Sequence, residues 1–245
     1  VGLVESIAGA QAGLFHAVNH IVYKGLLFLV VAVVAERLGH DDLRRMGGLA
    51  RKMPLVFVCA VVGAAAIVGL PLTSGYASKE LLKKALAEPQ TTLLIAASVG
   101  TALSFTKFIY LIFLRRPHHA APTGLRTPRF AGAALVVLAA LSILIGVAPG
   151  MVPGVPATRF YALDSVLWAM GPAVAGFALW FPLRGILTRG TSHGSEVPPL
   201  RRYLREGARP ALTLLRRAYR IDPQHAITTA VVGAVLLVAI LVFVG

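Results

Sequence analysis

Six apolar runs of membrane-spanning length, at 12–35, 53–72, 91–114, 130–150, 163–183 and 226–244, are separated by clusters of Arg, Pro or Gly. About 20 consecutive apolar residues are what an α-helix needs to cross the hydrocarbon core of a bilayer. A 245-residue chain that is 57% hydrophobic and only 14% charged, with a mean hydropathy of +0.76, has lipid as its natural solvent. The expected fold class is all-α, a polytopic transmembrane helix bundle of about six spans.

The formal charge of +14 raises the question of nucleic acid, yet the basic residues sit in loops between apolar spans rather than on a helix or sheet with interleaved aromatics. A membrane accounts for them better. Arg37, Arg44, Arg45, Arg51 and Lys52 fill the first loop, and Arg115, Arg116, Arg126 and Arg129 the third. Nine arginines from Arg184 to Arg220 fill the fifth. The turn near 89–92 has none, although Lys83 and Lys84 precede it, and the fourth loop has only Arg159. This alternation predicts that 37–52, 115–129 and 184–223 face the cytoplasm. It also requires 53–88 to cross once although Gly69, Pro71 and Gly75 interrupt it, so that stretch reads as one broken span.

Cys59 is the only cysteine and lies in an apolar run, which excludes intrachain disulfides and thiolate metal sites. No signal-peptide pattern is present, and the chain opens at Val1 almost directly on a membrane helix, so a piece of a longer protein is expected.

Ionisable residues inside spans carry the functional signal, because Lys or Arg at a span centre costs about 2.5–3.5 kcal/mol on insertion. In the first span, His16, His20 and Lys24 follow i, i+4, i+8 spacing, with Asn19 between them. Each step drifts about 40° and rises about 6 Å, so the three form a ladder on one helix face. Both residue types exchange protons at working pH when the environment suits them. Lys24 lies inside a stretch with no other Asp, Glu, Lys or Arg between Glu5 and Glu36, which makes snorkelling to an interface awkward.

The second constellation is GLPLTSGYASKELLKKAL, residues 69–86. Pro71 lacks an N–H, and Gly69 and Gly75 permit non-helical backbone, so the helix should break in mid-membrane and leave backbone groups unpaired. Lys79 follows the break near the start of the second half-helix. The positive end of that helix and the neighbouring Glu80 act on it in opposite senses. A lysine that exchanges protons readily is the expected result, against the plainer reading of a solvated loop.

Lys107 in the third span shares about 120° of helical wheel with Thr101 and Ser104, with Thr106 and Tyr110 nearby. It is a relay candidate that could also snorkel toward Arg115. Glu5 and Asp164, near span ends, are secondary candidates along with Glu80. His118 and His119 in the third loop read as solvated, and no metal site or cofactor is expected. Leu200, Tyr203, Leu204, Leu212, Leu215 and Tyr219 recur at helical spacing among arginines, an interfacial pattern divided at Gly207 and Pro210.

In this order, FHAVNHIVYKGLLFL, MGGLARKMPL and GLPLTSGYASKELL resemble the proton-conducting, antiporter-like membrane subunits shared by respiratory complex I (NADH:quinone oxidoreductase), membrane-bound hydrogenases and Mrp-type cation/proton antiporters. The resemblance covers 12–115 closely and the last three spans by general layout. It implies that Lys24 is the central-axis lysine of a second half-channel, with His20 and His16 as relay neighbours. Lys79 would be the ionisable residue of the second broken helix, where lysine resembles the distal subunit of complex I. The 184–223 segment, fully helical, would reach about 60 Å, too short for the very long lateral helix of that subunit. The family builds two inverted repeats of five helices, each with one broken helix. Residues 1–115 would supply the end of the second repeat, 116–183 two further helices, 184–223 a basic interfacial segment and 224–245 a C-terminal span. The proton path would then be completed by sequence outside this chain.

The expected function is proton translocation as an antiporter-like subunit of a redox-driven pump, with no redox site and no cofactor in this chain. Other membrane subunits, the bilayer and protons are the expected partners, with Na⁺ in the antiporter branch and no nucleic acid. The expected location is a bacterial or archaeal cytoplasmic membrane. An Mrp-type antiporter or hydrogenase subunit is the alternative within the family. Rivals of other classes are a non-conducting scaffold anchoring partners through its fifth loop, and a lipid-acting enzyme for which Asp164 alone is thin support.

Overall fold

Proline, glycine and small residues decide where the helices of this chain start, stop and touch. The computed structural model describes residues 7–40, 42–43, 45–86, 90–116, 124–152, 155 and 159–189. Among these residues there are six α-helices and no strand: α1 (Ile7–Leu38), α2 (Pro54–Val68), α3 (Ser74–Ala85), α4 (Gln90–Ile109), α5 (Arg129–Val147) and α6 (Leu163–Arg189). A π-turn, Tyr110–Leu114, prolongs α4. Four stretches, Gly9–Leu38, Gln90–Leu114, Arg129–Val147 and Leu163–Thr188, are long and apolar enough to cross a membrane. The chain is the helical membrane bundle its apolar runs predict. The sixth run at 226–244, the 190–223 segment, Glu5, His118 and His119 lie outside the described residues.

A further crossing, second in chain order, is interrupted. Pro54 occupies the first turn of α2, where its missing N–H costs nothing. The helix ends at Gly69, whose φ of 89° is open to glycine at no steric cost. Its N–H bonds the carbonyls of Ala65 and Ala66, and Leu70 N–H bonds Ala65, a glycine cap. Pro71 then bars continuation, Leu72 takes a φ of 67°, and Thr73 Oγ1 donates to Leu70 O at 2.6 Å before α3 begins. Gly75 corrects one expectation. It is helical, within the first turn of α3, and its use is steric: a Cβ there would collide with the carbonyl of Ala66.

Partners along α1 establish the course of the break. Val30, Val33 and Val34 share a buried cluster with Met53 and Val56. Lower down α1, Leu27 packs on Gly63, and Tyr23 and Leu27 cluster with Ala66 and Ile67. His16 meets Ser78, and Ala12 and Phe15 cluster with Tyr76, Ala77 and Leu81. Residues 53–81 thus run antiparallel to 34–12, and α2 with α3 makes one broken crossing. α5 follows the same direction, with Gly132 beside Leu55, Ser142 bonded to Ser74, and Gly146 against Thr73. α4 returns, Phe113 O accepting from Ala50 N–H at 3.2 Å. α6 lies parallel to α4, with Gly176 against Ala102 and the Val99 carbonyl and Trp180 against Tyr110 at 5.3 Å. Small residues at such crossings let backbones approach where apolar burial alone gives no preference over lipid. The first and third loops therefore share one end of the bundle, where Arg115 Nη2 donates to Leu43 O at 2.9 Å and Met46 O at 2.8 Å.

Candidate functional site

The last turn of an α-helix leaves carbonyls without intrahelical partners, and inside a bilayer they need donors. Here Lys79 supplies them. Its Nζ donates to Val68 O at 2.9 Å, to Ile67 O at 3.1 Å and to Ser98 Oγ of α4 at 3.2 Å. An ammonium has three donors, and all three are engaged. The side chain lies back across Gly69, where a Cβ would sit 2.9 Å from its Cδ. The lysine therefore reaches from the start of the second half-helix to the carbonyl end of the first. This corrects the sequence-based picture, which placed it under the influence of its own helix end and of Glu80.

Glu80 points elsewhere. It is only 5% exposed and accepts a hydrogen bond from Ser165 Oγ of α6 at 2.8 Å. Lys83 and Lys84 pair with it at 3.7 and 3.6 Å, and Lys83 Nζ lies 5.2 Å from the Trp168 ring centroid. Lys79, Glu80, Lys83, Ser98, Tyr76 and Trp168 border a cavity of about 50 Å³. That is room for about three waters.

On the other side of α3, Ser78 Oγ lies 3.0 Å from His16 Nδ1 and 3.2 Å from the carbonyl of Gly75, to which it donates. The hydroxyl can accept from a protonated Nδ1 or turn to donate to a bare one, so it serves either tautomer of the imidazole. His16 is half-buried, and its ring centroid lies 6.1 Å from that of His20. His20 is exposed and packs edge-on against buried Tyr23 at 5.2 Å. Lys24, half-buried, holds its Nζ 5.9 Å from the centroid of exposed Phe28. The ladder spacing is thus present, but only its His16 end is tied to α3. Asn19, fully buried, donates to Phe15 O at 2.8 Å, and its Oδ1 has no partner among the described residues.

Lys107 is not brought to this cluster. It is half-buried on α4, nine residues past Ser98, or about 13 Å along the axis. Thr101, Ser104 and Thr106 each donate to the carbonyl four residues back. They satisfy their own helix and form no chain toward it. Asp164 is exposed in the first turn of α6, where a carboxylate suits the helix N-terminus. Among the described residues, no three His, Cys, Asp or Glu side chains converge as a metal site would require.

Three serines were not singled out from sequence. Ser78 stands directly before Lys79 in the GLPLTSGYASKELLKKAL stretch. Ser98 stands three residues before Thr101 in the third span, and Ser165 adjoins Asp164; neither carries a signal of its own.

Residues 1–104, which contain Lys24, the break and Lys79, match the family described as NADH:quinone oxidoreductase/Mrp antiporter, TM. The NADH-quinone oxidoreductase subunit L of Escherichia coli K12 is 34% identical over 67% of this chain and 28% of its own length. The A1 subunit of an Na(+)/H(+) antiporter of Staphylococcus haemolyticus is 30% identical over 59% of this chain and 20% of its length. The A/B subunit of a probable K(+)/H(+) antiporter of Rhizobium meliloti is 32% identical over 59% of this chain and 16% of its length. The chain spans under a third of the length of each of these relatives. Through residues 1–104, it is an integral membrane protein belonging to the NADH:quinone oxidoreductase/Mrp antiporter family of membrane subunits.

Proposed function

We propose that this chain carries part of a proton path across a membrane, as an antiporter-like subunit of a larger complex, with Lys79 as a proton-exchanging group at the broken helix. The observation that carries this reading is the seat of Lys79, an ionisable side chain spanning a helix break in mid-bundle and bordering a cavity shared with Glu80. Buried ionisable groups in membrane helices, paired with backbone carbonyls, mark ion pathways. His16, through Ser78, adds a second exchangeable group on the opposite side of α3. His20 and Lys24 continue the path along α1. Their partly open face is covered by further membrane helices of the complex. Glu80, with Lys83 and Lys84, forms the outlet toward the end of the bundle opposite Arg115. Lys107, about 13 Å along α4 from Ser98, stands apart from this route.

Residues 1–115 form the end of an antiporter-like repeat, and 116–183 two helices that buttress it. The basic loops 37–52 and 115–129 face the cytoplasm, following the excess of Lys and Arg on that side. The relatives are named for NADH-quinone oxidoreduction and for Na⁺/H⁺ or K⁺/H⁺ antiport. Of the two, we favour the pump.

Reconstituting the full complex with Lys24→Ala and with Lys79→Ala, and measuring proton uptake into vesicles, tests the proposal. Each substitution is expected to lower uptake at least tenfold. Wild-type uptake in both variants would reject it.

A further inference from the structure

The half-helix that carries Lys79 is held by residues lying beyond 1–104. Ser142 Oγ of α5 and Ser74 Oγ of α3 are 3.1 Å apart, and both residues are fully buried. One turn further along α5, Gly146 lies against the backbone of Thr73, with no space for a Cβ. The carbonyl of Gly146 accepts from Tyr161 Oη, and the Tyr161 ring stacks on Tyr76 of α3 at 5.2 Å. Tyr76 Oη in turn donates to Phe160 O at 2.5 Å, and Ser165 of α6 donates to Glu80. Thr73, Ser74, Tyr76 and Glu80 are thus each met by a different group from 142–165. Lys79 and Ser78, on the same short helix, face α2, α4 and α1.

We infer that Ser142 and Gly146 are positioning residues for proton exchange at Lys79: α5 and the turn after it fix the start of α3, and so fix where the Lys79 ammonium meets the carbonyls of Ile67 and Val68. This rests on the proton-exchanging role proposed for Lys79. A break bounded by Gly69 and Pro71 has no internal hydrogen-bond ladder to set the angle or register between its two halves. Besides the Lys79 bridge and the packing of both halves on α1, an outside element can do so. α5 is suited to it because a single rigid helix touches α2 at Gly132 and the start of α3 at Ser142 and Gly146. The serine pair sets the rotation of α3, and the glycine sets how closely it approaches.

A reversible clasp tests this in the full complex. Ser74→Cys with Ser142→Cys places two thiols where the hydroxyls are 3.1 Å apart, and a non-reducing gel reports whether they join as a disulfide. The native Cys59, buried on α2, is replaced in a Cys59→Ala background so that the introduced pair holds the only thiols of this chain. Reduced, the pair is expected to give proton uptake about fivefold below wild type, the worth of one lost hydrogen bond. Oxidised, the same vesicles are expected to recover wild-type uptake, a reversal that a general folding defect would not show. Uptake that is equal in the two states, uptake abolished by the disulfide, or failure of the pair to cross-link would each overturn the inference. Lys79→Ala in parallel separates the two claims. Unchanged uptake there rejects the role of Lys79, whereas its loss together with a silent clasp rejects only the role of α5.

Discussion

A lysine with three donors and three acceptors is held by geometry, and that geometry joins two half-helices that the chain itself leaves apart. Ser78 does the corresponding work on the other face of α3, where it gives the half-buried His16 a polar partner. Ser78→Ala removes that partner and should lower proton uptake about fivefold, in proportion to about 1 kcal/mol for one hydrogen bond. Uptake by the purified complex with assembly held constant checks it. Ser78→Thr, which keeps the hydroxyl, should recover most of the loss. Lys79 was legible in the sequence because an ionisable residue follows a Gly-Pro interruption. Its partners were not. Ile67, Val68 and Ser98 lie 11 to 19 residues away, and the reach of a flexible side chain depends on packing that no local pattern encodes. Glu80 was misjudged for the same reason, since its nearness to Lys79 in sequence hid a side chain turned toward Ser165.

The broken crossing was the most readable element, because Gly69 and Pro71 act through the backbone and need no tertiary context. Gly75 differs. Its absent side chain matters only because α3 starts beside the Ala66 carbonyl, a contact between segments that the sequence does not announce. Gly75→Val should therefore destabilise the bundle by about 1–3 kcal/mol, the usual scale of overpacking. Gly69→Ala should cost about 1–2 kcal/mol through its positive φ. Thermal unfolding of the detergent-solubilised complex checks both, and an unchanged midpoint for Gly75→Val would contradict the close approach. The positive φ of Leu72 had no signal at all in its residue type.

At the scale of the whole molecule, hydropathy located the four long spans to within a few residues, because length and apolarity are local properties. Alternation of basic and neutral loops anticipated that the first and third loops share one end, as the contacts of Arg115 with Leu43 and Met46 require. Cysteines placed at exposed Arg51 and Arg126 should react with a membrane-impermeant maleimide from one face, and one placed at exposed Met151 from the other. Labelling of Arg51 and Arg126 from opposite faces would refute the crossing count. Lys79 is proposed to exchange protons as well as to cap a helix end, and arginine separates the two roles. Its guanidinium offers donors to the same carbonyls but does not give up a proton in proteins. Proton uptake should therefore be measured in vesicles holding the full complex with Lys79→Arg, at an assembly level matched to wild type. A stable complex with uptake at least tenfold lower is expected, and wild-type uptake in that variant would contradict proton exchange at Lys79.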